Sequence, residues 1–126
     1  IRVIPGSPKS HRLEYRISAA DGNPYLALAA SVACGLYGIE NKLELPPMVE
    51  GNAYDLETSP DNVELPNTLD KSINVFSKSK VMRKLFGDAW VDHFTVTREW
   101  EAKCYNEQKK EDPDWYWMLA RYFEII

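Results

Sequence analysis

Apolar and polar side chains alternate over residues 11–17, with His11, Leu13, Tyr15 and Ile17 on one side and Arg12, Glu14 and Arg16 on the other. A period of two predicts a strand. Residues 1–4 form a second short β-branched run, and Pro5-Gly6-Ser7-Pro8 between the two is a turn cluster. Together they predict a hairpin that brings Arg2 to the charged face of the longer strand. Asp21-Gly22-Asn23-Pro24 then opens a helix, with Asn23 as N-cap and Pro24 at the first helical position, where a missing N–H costs nothing. That helix is predicted to end near Gly38. Being apolar all round, it should be buried, and its Ala27, Ala29, Ala30, Ala33 and Gly35 should let something pack close to its backbone.

Residues 41–66 hold four prolines and few apolar positions, which predicts a long connection. Asn67 or Thr68 can cap the next helix, where Leu69, Ile73 and Phe76 recur at helical spacing. A short helical turn over residues 81–86 ends at Gly87. Residues 89–109 form a longer amphipathic helix, and Asp112-Pro113 starts the last one, whose apolar side carries Trp115, Met118, Leu119, Tyr122 and Ile126. The expected architecture is α+β: one β-hairpin belonging to a larger sheet, then four or five packed helices. A hairpin alone is marginal, and an open sheet edge favours self-association.

The 126 residues suit one domain, and 44% hydrophobic residues suffice for a core. A net charge of −4 argues against nucleic-acid binding. The charge is uneven: residues 1–18 carry +3, 19–66 carry −7, 67–87 carry +4 and 88–126 carry −4. A basic cluster within an acidic chain suits a local anion site. Cys34 and Cys104 are too few for a disulfide framework or zinc cluster, and free thiols fit a cytoplasmic protein. The longest apolar run, residues 24–39, falls short of the roughly 20 residues that span a bilayer. The chain opens at Ile1 directly in a β-like run, so it is expected to be a piece of something longer.

Arg12, Glu14 and Arg16 are the most informative residues. Three charges on one strand face need partners or water. Glutamate oxygens suit hard cations such as Mg²⁺ or Mn²⁺, while guanidinium forks suit phosphate oxygens. Spacing alone equally describes a solvent-facing strand with cross-strand ion pairs, the commoner arrangement.

The neighbouring residues add context. Arg12-Leu13-Glu14-Tyr15-Arg16, then Asn23-Pro24-Tyr25-Leu26, then Gly35-Leu36-Tyr37-Gly38-Ile39 resemble the C-terminal part of the glutamine synthetase catalytic domain. Asn52-Ala53-Tyr54-Asp55, Leu65-Pro66 before Thr68-Leu69, and the ending Arg121-Tyr122-Phe123-Glu124 resemble later segments of that family, in the same order. The resemblance implies an ATP-dependent ligase in which glutamate takes the γ-phosphate of ATP and ammonia displaces it from γ-glutamyl phosphate. It implies Glu14 as a metal ligand for Mg²⁺ or Mn²⁺ and Arg16 on the substrate carboxylate and transferred phosphoryl group. It also implies Arg2 on the phosphates, and Arg12 and Lys9 near the nucleotide. The loop to Arg16 is about one residue shorter than in well-known bacterial members, which loosens the match at Lys9 above all.

The same resemblance implies a ring-shaped homo-oligomer and further catalytic segments preceding this region. The 126-residue chain alone is therefore expected to be inactive, and glutamate-dependent ATP turnover by it would overturn that expectation. A γ-glutamyl-amine or polyamine ligase shares the phosphate chemistry and is an alternative; so is a non-catalytic structural member. Outside the family, a small helical interaction domain would account for the aromatic last helix.

Tyr54 matches a tyrosine that some bacterial members adenylylate, although a tyrosine packing its loop is the commoner role. His11 and His93 lack the company of a metal site or triad. Cys34 is expected to be a buried, inert thiol. Lys78, Lys80, Arg83 and Lys84 read as a solvated helix face, and Trp100, Trp115 and Trp117 as core or interface anchors.

Overall fold

The computed structural model describes residues 1–19, 22–49, 52, 64–111 and 116–123. It divides into two compact units, residues 1–44 and 45–126. Tyr54, Trp115, Asp112-Pro113 and Ile126, for which the sequence raises expectations, lie outside the described residues.

In the first unit, β1 (Arg2–Ile4) and β2 (Arg12–Glu14) pair antiparallel, with Arg2 opposite Glu14, Val3 opposite Leu13 and Ile4 opposite Arg12. The hairpin is as predicted, but β2 has three residues rather than seven. β1 is itself three residues long, so the ladder ends where it runs out of partner. The connection is tightened by the Ser10 and His11 amides, which donate to the Ser7 carbonyl at 2.8 and 3.0 Å. Val3, Leu13, Tyr15 and Ile17 are all exposed.

Helix α1 (Pro24–Glu40) starts as its sequence dictates: the Asn23 side chain accepts from the amides of Tyr25 and Leu26 at 3.0 and 3.2 Å. It passes through the predicted stop at Gly38 and ends where the Asn41 side chain donates to the Tyr37 carbonyl at 2.7 Å. Gly38 keeps helical geometry; the positive φ that would make it a terminator falls on Lys42 instead, at 50°. The expectation that α1 is buried is corrected: none of its residues is. A Cβ at Gly35 or Gly38 would meet nothing within 4 Å, and Cys34 is exposed rather than buried. Apolar composition marks a helix that packs well; the covering surface has to come from elsewhere.

The second unit is helical: α2 (Leu69–Ser77), α3 (Lys80–Phe86), α4 (Asp88–Glu111) and α5 (Tyr116–Tyr122). Thr68 caps α2 by accepting from the Lys71 amide at 3.3 Å, and Ser79 caps α3 by accepting from the Met82 amide at 3.2 Å. Gly87, at φ 82°, closes α3 and leads into α4, a conformation other residues adopt at a cost. Ile73, Val91 and Ala102 are buried. Around them Trp90 stacks on Phe94 at 5.0 Å, while Phe76 meets Phe94 edge-on at 5.5 Å and Phe86 lies 5.1 Å from Trp90.

Arg83 is not the solvated base its sequence context predicts. Its Nε and Nη2 donate to the Ser77 carbonyl at 3.1 and 2.9 Å, Nη1 to Asp88 at 2.9 Å and Nη2 to Asp92 at 2.8 Å. One side chain thus joins the last turn of α2 to the first turns of α4.

Candidate functional site

The hairpin places the predicted charges by register. Because opposed residues of an antiparallel pair share a face, Arg2 stands beside Glu14. Arg16, two residues beyond, donates to Glu14 Oε1 at 2.9 Å, while the Arg2 guanidinium lies 3.6 Å from Oε2. Both arginine side chains are about two-thirds exposed, and that of Glu14 about one-third. The hydrogen bond from Arg16 holds the Glu14 carboxyl below its usual range, partial burial works the other way, and the charges of Arg16, Arg2 and Arg12 add to the lowering. Glu14 is therefore a carboxylate throughout the physiological range.

Two other predicted residues stand further out. Arg12 shares the parity of Glu14, but its Nη1 donates back to the Ser10 carbonyl at 3.2 Å. Lys9 lies exposed in the β1–β2 connection, off the paired strands. The structure thus gathers Arg2, Glu14 and Arg16, and leaves Arg12 and Lys9 on the margin.

Glu14 Oε2 is enclosed and accepts no hydrogen bond. A carboxylate oxygen with unmet lone pairs beside phosphate-type donors is compatible with one bond to a hard cation. Among the described residues no three histidine, cysteine or acidic side chains are grouped to hold a metal. Glu14 can therefore supply one oxygen ligand, and no group of further ligands stands with it among the described residues.

A second charged cluster went unpredicted. Glu101 on α4, with its side chain only 10% exposed, accepts from Arg121 Nε and Nη2 at 3.2 and 3.3 Å and from the Tyr122 hydroxyl. The Arg121 hydrogen bonds hold the Glu101 carboxyl below its usual range against the opposing effect of burial. Burial first, and then the bond to Glu101, pushes the Tyr122 hydroxyl up to about 12. Because the folded-state value of Glu101 is depressed, its stabilising contribution is present above the ordinary value of 4.5 and is lost as pH falls through the lower, folded one. Acid titration of the α4–α5 contact, followed by the Trp117 signal, should show release below about pH 4.5. In Glu101→Gln the contact should be weaker at pH 7 and nearly flat over that acid range. An unchanged acid transition in that variant would rule Glu101 out as its source.

Among the described residues no helix is long and apolar enough to cross a membrane. The glutamine synthetase catalytic-domain profile matches residues 1–117. The type-1 glutamine synthetase 2 of Dictyostelium discoideum is 44% identical over 128 residues, covering 100% of this chain and 23% of the relative. A glutamate–isopropylamine ligase of a Pseudomonas species is 39% identical, covering 99% and 26%, and a gamma-glutamylethanolamide synthetase of Streptomyces coelicolor is 36% identical, covering 98% and 25%. The chain thus spans about a quarter of the length of these curated relatives. No solved structure matches it significantly. With a hairpin followed by helices, and with its residues matching the family nearly end to end, this chain belongs to the glutamine synthetase family and lies within its catalytic domain.

Proposed function

We propose that this chain contributes the arginine-flanked glutamate of an ATP-dependent ligase that joins ammonia to glutamate. The observation that carries the reading is Glu14 held between Arg2 and Arg16 on one face of the hairpin. In the reaction, a γ-carboxylate oxygen of glutamate attacks the γ-phosphorus of ATP and ADP leaves. The amine nitrogen then attacks the acyl carbon, phosphate departs and the nitrogen gives up a proton. Both steps pass through added negative charge on oxygen, so positioned cations lower the barrier.

Arg16 is placed to grip the substrate carboxylate and then the phosphoryl oxygens, a planar fork matching either. Its bond to Glu14 sets the direction of that fork. Arg2 draws on the phosphates from the facing strand, and Arg12 and Lys9 lie outward, toward the nucleotide. Glu14 would contribute one ligand to Mg²⁺ or Mn²⁺, which when bound would neutralise phosphate charge. Assembly into a homo-oligomeric ring, with the remaining site residues supplied by other segments, belongs to the same reading, as does a role in glutamine biosynthesis.

A larger amine is a second reading, favoured by two relatives whose names specify isopropylamine and an ethanolamide product. Phosphate release by the protein as expressed from its own gene, given glutamate and ATP with ammonia, isopropylamine or ethanolamine, separates the two. Release with none of them would overturn both. Arg16→Lys keeps the charge and loses the fork, and should lower kcat/KM for glutamate by about 10- to 100-fold. An unaltered value would remove Arg16 from substrate binding.

A further inference from the structure

A cleft of about 510 Å³ opens between the start of α2, the second half of α4 and α5, wholly within residues 45–126. Its volume is that of a small-molecule site. Tyr105, Trp117 and Tyr122 line it, with Trp117 6.2 Å from Tyr105 and 6.0 Å, edge-on, from Tyr122. Two carboxylates, Asp70 and Glu101, also line it, and among the described lining residues Lys109 is the one cation.

Three observations together indicate what it would hold. Asp70 occupies the first turn of α2, so the positive end of that helix is already offset by an acid of its own. Glu101 is already matched by Arg121, which leaves Asp70 as the wall carboxylate that makes no ion pair among the described residues, a counter-charge for a cation rather than for an anion. The Lys109 ammonium already rests 5.7 Å from the Tyr105 ring centroid, so one aromatic face of the cleft is in use as a cation platform. The apolar area of Leu69, Ala102 and Met118 beside these rings would accommodate an uncharged body.

We propose that this cleft binds a small organic ammonium ion with an apolar body, the ammonium taking the place on Tyr105 that Lys109 occupies in the free protein. The inference stands apart from the phosphoryl chemistry assigned to the hairpin.

The test titrates the protein as expressed from its own gene with three probes of one shape and different charge: phenethylamine, 2-phenylethanol and phenylacetate. The readout is the Trp117 indole N–H resonance, assigned by its loss in Trp117→Phe. Phenethylamine should shift it saturably at a concentration on the order of 1 mM or below, with the neutral and anionic probes at least about tenfold weaker. Equal response to all three, or no saturable shift with phenethylamine, would overturn the proposal. Tyr105→Leu should weaken phenethylamine about tenfold, and unchanged binding in that variant would overturn the proposal. Lys109→Gln removes the internal competitor and should tighten phenethylamine about threefold. Weaker binding in Lys109→Gln would overturn the proposal even if Tyr105→Leu fails to fold.

Discussion

Glu14→Gln, made in the protein as expressed from its own gene, should lower glutamate-dependent ATP turnover by about 100- to 1,000-fold while leaving the fold intact. Glutamine keeps the size and one acceptor oxygen, so the hydrogen bond from Arg16 can persist. What disappears is the charge. Without it, Arg2 and Arg16 face each other across the hairpin with no negative charge between them, and an oxygen ligand for a divalent ion becomes a weak neutral one. The loss should fall on kcat more than on KM for glutamate, because the carboxylate acts where charge develops. Raising Mn²⁺ should recover part of the lost activity if Glu14 is a ligand. Activity within a factor of about three of wild type would remove Glu14 from the proposed machinery.

The second large effect is on stability. Phe94→Ala should destabilise the helical unit by about 3 kcal/mol, read by chemical denaturation. Phe94 stacks on Trp90 and receives the edge of Phe76, so truncation empties the centre of the contact between α2 and α4. Arg98 also lies 5.4 Å from its ring centroid. Phe94→Leu, which keeps most of the volume, should lose less than half as much. Equal losses in the two variants would show that aromatic geometry, rather than filled space, governs the site.

Local chemistry was readable from the sequence, and distant pairing was not. Asn23-Pro24 and Thr68 announced their helices because a cap acts within three residues. The hairpin and its charged face followed from alternation and from a turn cluster placed between two short runs. Arg83 was misread because its partners, Ser77, Asp88 and Asp92, sit on two other helices, and the turns on either side of α3, at Lys78–Ser79 and at Gly87, bring them together. The Glu101 cluster was missed for a related reason: Arg121 and Tyr122 lie 20 and 21 residues away, and a helical period cannot express that distance. The burial of α1 was overread, since composition records what a surface wants to touch and leaves open what touches it. In the candidate site, residue types pointed to the family and register assembled Arg2, Glu14 and Arg16. The outward turn of Arg12 depends on the Ser10 carbonyl in the connection, which alternation does not describe.

The bond set of Arg83 has an evolutionary corollary. Four donor contacts radiate from one flat group toward a backbone oxygen and two separate carboxylates, and the tetrahedral ammonium of lysine, a single point of charge, cannot serve those directions together. Among the basic residues of that stretch, Arg83 is pinned to a single amino acid by the corner it holds.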